Sequence, residues 1–439
     1  MSRRNVKWLY GEIPKLVSEG IINRENADKL RDYYGESEDT AGLKTVLAIF
    51  GVLGAILIGA GIILILAKNW SDLSRAARTV LSFMPLVAGQ LLVLYAFLRK
   101  RDSGAWREGT TSFLMISIGA CISLIGQTYH IPGDFSGFLL SWMLLALPLI
   151  YIMDATLPAL FYLVGITVWS GSVQSDRGDA LLFWALLALM VPFILKKIKN
   201  NPYSNPSVFI CWSLSVVLCV AIGITLEKVL PGLWIVVYSS YFVTLFLLAE
   251  LRFRKAQALW QQPFKVVGTL GTLAMSYLLT YEWPWERIGF RYYRHEAGYH
   301  ELAGYLDYVI AIGLVLAALY MIFIFARKRK AYPLVFASMA VLSILGYFMA
   351  QAWDTMPVVL LYNAYLLILG IYIVTRGVRA GRLGTANGGM LVLAMLAILR
   401  FFDSSMGFLE RGVAFILVGA GFLVSNVMII KRRGDKNVE

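Results

Sequence analysis

The stretch LKTVLAIFGVLGAILIGAGIILILA, residues 43–67, decides the fold of this chain. It carries no charge after Lys44 and exceeds the roughly 20 apolar residues that a helix needs to cross a bilayer. The composition agrees with a membrane protein. Hydrophobic residues make up 59% and charged residues 15% of the 439 residues, against about half and about a quarter in soluble domains.

Thirteen further charge-free apolar segments follow the first one, and each predicts a helical span. The chain is therefore predicted to be all-α, a polytopic helical bundle with about 14 transmembrane helices, at approximately residues 43–67, 79–98, 109–129, 135–153, 155–173, 180–195, 206–226, 229–249, 266–281, 308–326, 331–353, 355–375, 383–399 and 412–430. Three of these, 180–195, 266–281 and 383–399, are short, so each could be tilted, extended into the interface or re-entrant.

Basic residues alternate between the loops in the way that sets membrane topology. With the N-terminus placed in the cytoplasm, most of the 40 Lys and Arg residues fall on cytoplasmic segments, including 99–101, 196–199, 327–330 and 431–433. Cytoplasmic loops of membrane proteins are enriched in these residues. We therefore predict that both termini are cytoplasmic, and we attribute the net charge of +13 to topology and not to nucleic-acid binding.

The polar residues 1–42 predict a small cytoplasmic helical hairpin, which precedes a multi-pass transmembrane domain at 43–439. Gly20 suits the end of a first helix and Asn23 suits the N-cap of a second. A hairpin of this size buries too little surface to be stable alone. We expect it to dock on the membrane domain or to bind a cytoplasmic partner.

Residues within the predicted spans bear on packing and mechanism. Gly384 and Gly388 have the four-residue spacing of closely packed membrane helices. Pro85 and Pro148 lie inside the second and fourth spans, where each proline either kinks the helix in the ordinary way or helps to form a substrate cavity. No Asp, Glu, Lys or Arg lies near the middle of a segment, which disfavours proton pumping or coupling through buried ions.

Candidate binding residues gather where the spans meet the outer face. The turn after the third span contains Gln127, Tyr129, His130 and Asp134. Ser136 would complete a Ser-His-Asp set, but GDFSG lacks the G-x-S-x-G pattern, and an all-helical chain lacks the strand-turn-helix that this pattern requires. We interpret the group as a turn in which Asp134 caps the fourth span, and substrate binding is the alternative.

The longest predicted outer loop, residues 282–306, combines arginines with aromatic residues: Trp283, Trp285, Arg287, Arg291, Tyr292, Tyr293, Arg294 and Tyr299. Aromatic faces stack on sugars and guanidinium groups pair with phosphate, so this set suits a sugar-phosphate or lipid headgroup. The alternative is an aromatic belt that anchors the loop at the membrane surface. His295 and His300 are five residues apart, not four, so no zinc site is predicted.

A further outer group, between the last two spans, contains Arg400, Asp403, Glu410 and Arg411. Opposite charges in a short loop usually pair with each other or with headgroups. A fourth outer group follows the first span and contains Lys68, Trp70, Asp72, Arg75 and Arg78. If the four groups converge, they would together form an outer vestibule rimmed with arginine and acidic residues.

Several stretches carry a resemblance: WLYGEIPKLVSEGIINRENADKLRDYYGE at 8–36, KNWSDLSRAAR at 68–78, LIGQTYHIPGDFSGFLLSWMLLALPLIYI at 124–152, and RFFD at 400–403 followed by RGVAFILVGAGFLVSN at 411–426. They resemble the bacterial predicted membrane proteins of domain-of-unknown-function family 2157. The resemblance implies a multi-pass protein of the bacterial cytoplasmic (inner) membrane. It implies no reaction, substrate or cofactor.

Three classes of function remain open. The first is a transporter or flippase-like carrier of amphipathic or lipid-linked cargo, which the charge-free bundle resembles in layout and which requires a cavity. The second is a non-transporting scaffold or envelope-complex subunit, whose hairpin binds a partner and whose spans assemble with other membrane subunits. The third is a membrane-embedded glycosyl-transfer enzyme, but no paired outer carboxylates support it. The lipid bilayer is the expected partner, and no cofactor or metal is predicted.

Overall fold

A computed structural model of the chain describes residues 3–34, 68, 70–176, 178, 180–226, 232–253, 256, 258–286, 288, 301–329 and 331–401, with single positions 409, 412, 416, 419, 420 and 423. Every regular element in these residues is helical. The first predicted span, 43–67, and most of the last, 412–430, lie outside the described residues. The chain divides into two compact units, Met1–Val80 and Leu81–Glu439.

The first unit contains the helical hairpin predicted from the sequence. It is formed by α1 (Arg3–Ser18) and α2 (Arg24–Tyr34). Gly20 adopts a φ of +71° in the turn, a left-handed conformation that glycine adopts without strain. Asn23 Oδ1 accepts a hydrogen bond of 2.8 Å from the Asn26 N–H, so the predicted N-cap is confirmed. The cytoplasmic location of the hairpin stays a prediction.

In the described residues, twelve α-helices follow the hairpin: α3 (Arg75–Arg99), α4 (Gly104–Tyr129), α5 (Phe135–Met153), α6 (Thr156–Ser175), α7 (Leu182–Asn200), α8 (Asn205–Thr225), α9 (Leu233–Arg252), α10 (Pro263–Leu278), α11 (Glu301–Arg327), α12 (Ala331–Ala352), α13 (Met356–Arg379) and α14 (Leu383–Phe401). Among the described residues, 10 helices are long and apolar enough to cross a membrane. The protein is thus a membrane protein whose described part is all-helical. The total of fourteen spans and the orientation of the termini stay predictions.

The three short predicted segments correspond to helices that differ in length and in apolar character. The segment at 383–399 is α14, which is long and apolar enough to span, and the segment at 180–195 is α7, whose last turn carries Lys197 and Lys199. Helix α10 has only 16 residues, about 24 Å at 1.5 Å per residue, whereas the hydrocarbon core is about 30 Å thick. Whether α10 spans fully therefore stays a prediction.

Two hydrophobic cores hold the larger unit together. The first is formed by α4 to α8 and includes Met143 and Tyr162, both at most 2% exposed. The second is formed by α8 to α14, where the rings of Phe246 and Phe336 are 4.4 Å apart. Helix α8 contributes to both cores through the neighbouring residues Ile210 and Cys211. These adjacent positions explain how one helix joins the two halves of the bundle.

Close packing of α13 against α14 depends on glycines that the sequence pattern did not identify. A Cβ added at Gly377 would lie 2.4 Å from the Ala386 nitrogen, and one at Gly389 would lie 2.6 Å from a backbone nitrogen of α13. An added Cβ at Gly384 or Gly388 meets no described atom within 4 Å. The face of α14 that meets α13 carries Ala386 and Gly389, so close packing at Gly384 and Gly388 against another helix stays a prediction.

Candidate functional site

The turn between α4 and α5 is built as a paired helix stop and helix start. His130 ends α4 in a left-handed conformation, and its N–H donates to the Gly126 carbonyl. Asp134 is the N-cap of α5: its carboxylate accepts hydrogen bonds of 3.0 Å from the Gly137 N–H and 2.5 Å from the Ser136 hydroxyl. These bonds, chiefly that from Ser136, hold the pKa of Asp134 below its usual value. The predicted capping role of Asp134 is confirmed.

The same bonds give Asp134 and Ser136 a structural role. In the Ser-His-Asp arrangement the carboxylate orients an imidazole, and the imidazole contacts the hydroxyl. Here the Ser136 hydroxyl donates directly to Asp134. Gln127, Tyr129 and His130 are all exposed. The turn can offer these groups to a ligand, but it does not assemble a nucleophile.

A cavity of about 750 Å³ opens beside this turn, among α3, α4 and α5. Its walls include the apolar side chains of Phe83, Ile122 and Phe138, and Asp134 lies at its rim. From Tyr129 at the end of α4 down to Cys121, another lining residue, the helix rises about 12 Å. The cavity therefore extends along about two turns of α4. Of the predicted site residues that the structure describes, only Asp134 lines it.

Arg400 belongs to a different cluster, at the ends of α10 and α14. Its Nη2 donates a 2.8 Å hydrogen bond to Thr280 Oγ1, and its guanidinium carbon lies 4.5 Å from the centre of the Tyr281 ring. The Asn363 side chain of α13 donates to the Val359 carbonyl at 2.8 Å and to the Thr280 carbonyl at 3.5 Å. Arg400 thus helps to join three helices, which is the structural role expected for loop charges.

The aromatic residues after α10 also separate into structural and accessible ones. Trp285 is 1% exposed, its indole N–H donates to the Leu279 carbonyl at 3.1 Å, and its ring lies 5.5 Å from that of Tyr362. Trp283 is 57% exposed. Both tryptophans were candidates for stacking on a sugar or headgroup. Trp285 is instead a core residue, because its ring packs inside the protein and its N–H has a hydrogen-bond acceptor there.

Four of the predicted binding residues lie outside the described residues: Arg291, Arg294, Asp403 and Arg411. Their roles stay predictions. The described candidates fall into two groups built on different helices, with Gln127, Tyr129, His130 and Asp134 at the α4–α5 turn and Arg400 on α14. A single outer vestibule that joins them stays a prediction as well.

A charge cluster that sequence reasoning missed forms at the opposite end of α4 to α7. Asp154 lies 2.9 Å from Lys197, 3.4 Å from Lys196 and 3.7 Å from Arg107. Burial raises the pKa of Asp154, but the hydrogen bonds and charges of the two lysines outweigh it and hold the pKa below its usual value. Asp154 is the one charge between the fourth and fifth apolar segments, and this isolation was the available signal.

Glu108 strengthens the same end of the bundle. Its two carboxylate oxygens accept hydrogen bonds of 2.7 Å each from the backbone N–H groups of Thr156 and Leu157. A carboxylate is favourable there because the first N–H groups of a helix lack partners within the helix and carry partial positive charge. The start of α4 is thereby fixed to the start of α6, at the end that the loop charges predict to be cytoplasmic.

Comparison with known proteins gives one match. The family described as predicted membrane protein (DUF2157) matches residues 14–159, from within α1 to the first turn of α6. The matched region therefore includes the α4–α5 turn, the neighbouring cavity and Asp154. Searches among curated proteins and among solved structures found no match to the chain.

Proposed function

Because residues 14–159 match a family of predicted membrane proteins and 10 of the described helices are long and apolar enough to span, we propose that this protein is a multi-pass carrier of amphipathic or lipid-linked cargo. In this proposal it resides in the bacterial cytoplasmic membrane with both termini inside. Residues 1–42 form its cytoplasmic hairpin, and residues 43–439 form its spanning domain.

The cavity beside the α4–α5 turn is the observation that carries the proposal. Its walls are apolar at Phe83, Ile125 and Phe138, and its rim carries the carboxylate of Asp134. An amphipathic molecule needs this combination, because its apolar chain is stabilised by apolar walls and its headgroup by polar groups at the rim. The exposed Gln127 and Tyr129 on the last turn of α4 supply further polar groups near the rim.

The absence of charge within the spans supports the same class of cargo. In the described spans, charged side chains lie in or near the end turns, as Arg99 does in α3 and Arg400 in α14. Ion-coupled pumps usually place ionisable groups within the membrane. A lipid-like molecule needs no such groups, because its apolar part stays in contact with the hydrocarbon.

A lipid-movement assay with a blocked cavity tests the proposal. The purified protein is placed in liposomes with either a fluorescent phospholipid or a fluorescent lipid-linked disaccharide, and a membrane-impermeant quencher reports how fast the probe changes leaflet. Ser141 lines the cavity and Leu144 is an exposed residue of the same helix. We expect the wild-type protein and Leu144→Trp to accelerate movement of one probe, and Ser141→Trp to abolish that acceleration.

Two results would contradict the proposal. If wild-type liposomes move neither probe faster than empty liposomes, the carrier proposal is wrong. If Ser141→Trp and Leu144→Trp reduce movement equally, the cavity is not the route. Helical content and a single elution peak for each variant show that it is folded before its rate is compared.

A non-transporting scaffold is the second candidate, and the contacts of Arg400 favour it. Its guanidinium is engaged by Thr280 and Tyr281, so it serves to join helices. A scaffold would use the α1–α2 hairpin to bind a cytoplasmic partner and the spans to bind other membrane subunits. The glycosyl-transfer alternative gains no support from the α4–α5 turn, since the carboxylate of Asp134 is occupied by capping.

A further inference from the structure

A second cavity, of about 620 Å³, lies among the helices that form the second core, at the end opposite to the contact between Arg400 and Thr280. The ends of α9, α10, α12, α13 and α14 surround it, and we call it the basic cleft. It is lined by Ala249, Glu250, Phe253, Gln262, Lys265, Tyr332, Arg376, Ala380, Arg382 and Thr385. Its volume falls within the range of about 300–1,000 Å³ that is usual for small-molecule sites.

Positive charge exceeds negative charge among the lining residues. Among the described lining residues, Lys265, Arg376 and Arg382 supply three cations, and Glu250 supplies the only carboxylate. Glu250 is paired with Lys265, with 2.9 Å between Oε1 and Nζ. Within the described part of the chain, neither arginine forms an ion pair. Two guanidinium groups therefore face the cleft without a protein counter-charge from the described residues.

Arg376 is held in a position that keeps its hydrogen-bond donors available. Its guanidinium carbon lies 3.8 Å from the centre of the Tyr332 ring. Stacking on an aromatic face uses the flat face of a guanidinium and leaves the N–H groups at its edge free to bind. Those N–H groups match the oxygens of a phosphate, which guanidinium groups bind with two parallel hydrogen bonds.

Helix polarity also favours an anion in the cleft. Lys265 lies in the first turn of α10, and Arg382 immediately precedes α14, which begins at Leu383. A helix N-terminus carries partial positive charge, so cations placed there are unfavourable and an anion is favourable. A bound anion would offset both the helix ends and the side chains. The basic content of cytoplasmic loops explains why cations occur at this end, but not why three of them line one cavity.

We propose that the basic cleft binds a phosphate group, carried either by the headgroup of an anionic lipid or by a soluble phosphate compound. Arg376 and Arg382 contact the phosphate oxygens, and Lys265 is held beside them by Glu250. The cleft lies at the end predicted to face the cytoplasm. This site is separate from the cavity of the carrier proposal and does not depend on it.

Binding of defined anions to the purified full chain tests the inference. In the soluble arm, inorganic phosphate and diphosphate are titrated onto protein in nanodiscs of phosphatidylcholine, and binding is followed by calorimetry. In the lipid arm, thermal stability is compared between nanodiscs of phosphatidylcholine with and without phosphatidylglycerol. The variant is Arg376→Gln/Arg382→Gln. The control is Arg379→Gln, which removes an exposed cation from the same helix end without altering the cleft lining.

We expect the wild-type protein and Arg379→Gln to respond alike in one arm, and the double variant to lose at least about tenfold in affinity there, because charge-assisted hydrogen bonds to phosphate are lost. In the lipid arm the corresponding result is loss of the stabilisation by phosphatidylglycerol. A response in the soluble arm identifies a free phosphate compound as the ligand, and a response in the lipid arm alone identifies a headgroup.

Two results would overturn the inference. One is no response of the wild-type protein in either arm. The other is an equal loss in Arg379→Gln and the double variant, which would assign the effect to the general charge of this face. If the double variant does not fold, the single variant Arg382→Gln replaces it, because this side chain is exposed and has no hydrogen bond to described residues.

Discussion

The guanidinium of Arg400 donates a 2.8 Å hydrogen bond to the hydroxyl of Thr280 and so joins the end of α14 to the turn after α10. Thr280 is completely buried. The bond therefore places a charged group of the predicted outer face against the protein core. A residue that sequence reasoning regarded as a binding candidate is in this way a part of the helix packing.

This relationship predicts that Arg400 contributes to stability. Replacement by Gln removes a charge-assisted hydrogen bond and the stacking on Tyr281, so we expect the free energy of unfolding to fall by about 1–2 kcal/mol. Reversible unfolding in a mixed-micelle system measures the change. Thr280→Val completes a double-mutant cycle, in which a coupling energy of at least about 0.5 kcal/mol is expected for groups in contact. A coupling energy near zero would show that the two side chains act independently.

The glycines between α13 and α14 give a second prediction with its own matched controls. Gly377→Ala and Gly389→Ala would place a methyl group within 2.6 Å of backbone nitrogen on the facing helix, and overpacking of this kind costs about 1–3 kcal/mol. Gly384→Ala and Gly388→Ala meet no described atom within 4 Å. We expect the first two to lower the unfolding temperature and the second two to leave it unchanged or higher, because alanine is the better helix former. An equal response of all four would contradict the helix faces described above.

The pKa of Asp154 predicts a dependence of stability on pH. The folded-state pKa is held below the usual value near 3.8 by Lys197 and Lys196, against the raising effect of burial. A carboxyl with a depressed pKa stabilises the fold above its unfolded pKa, and this contribution is lost as pH falls through the folded pKa. We therefore expect Asp154→Asn to be less stable than the wild-type protein at pH 7, because three cations then lack their common partner.

The difference in stability between Asp154→Asn and the wild-type protein should shrink below about pH 4, where the carboxyl of the wild-type protein becomes protonated. Thermal unfolding across pH 3–8 measures it. Asp102→Asn is the control, since Asp102 is exposed on the nearby α3–α4 connection and should give a curve parallel to that of the wild type. A constant gap between Asp154→Asn and the wild type at every pH would mean that the carboxylate charge is not responsible.

Much of the helix order could be predicted from the sequence, because hydrocarbon length and local turn residues determine it. The fourth predicted span, 135–153, has the bounds of α5 because Asp134 caps this helix at its start and Asp154 ends it in a left-handed conformation. The prediction for 266–281 differs from α10 by three residues at each end. Pro263 begins this helix in a stretch that is not yet apolar, so hydropathy alone placed its start too late.

The contacts between distant segments could not be predicted in the same way. Lys265 and Arg382 are more than 100 positions apart, and each alone looks like an ordinary cytoplasmic-loop charge. Only the packing of α9, α10, α13 and α14 brings them to one cleft. The choice of Gly389 over Gly388 as a packing residue likewise depends on which face of α14 meets its neighbour. A single-helix pattern does not contain this information.

The last prediction concerns the side of the membrane that each connection faces. The structure places particular turns at opposite ends of the same helices, so these turns should face opposite sides. The α3–α4 connection at Asp102 and the end of α7 at Asn201 are predicted to be cytoplasmic, whereas Gly133 of the α4–α5 turn and Asp354 before α13 are predicted to be outside. Each position is exposed. A cysteine at any of them should therefore react with a maleimide that reaches its side of the membrane.

The native cysteines lie within α4 and α8, so the wild-type protein supplies the background reading with an impermeant maleimide. We expect Gly133→Cys and Asp354→Cys to be labelled in intact cells, and Asp102→Cys and Asn201→Cys only after permeabilisation. The inverse pattern would reverse the orientation of the bundle and move the basic cleft to the outer face. Labelling of Asp102→Cys and Gly133→Cys from the same side would mean that α4 does not span, which its 26 residues argue against because about 20 are sufficient.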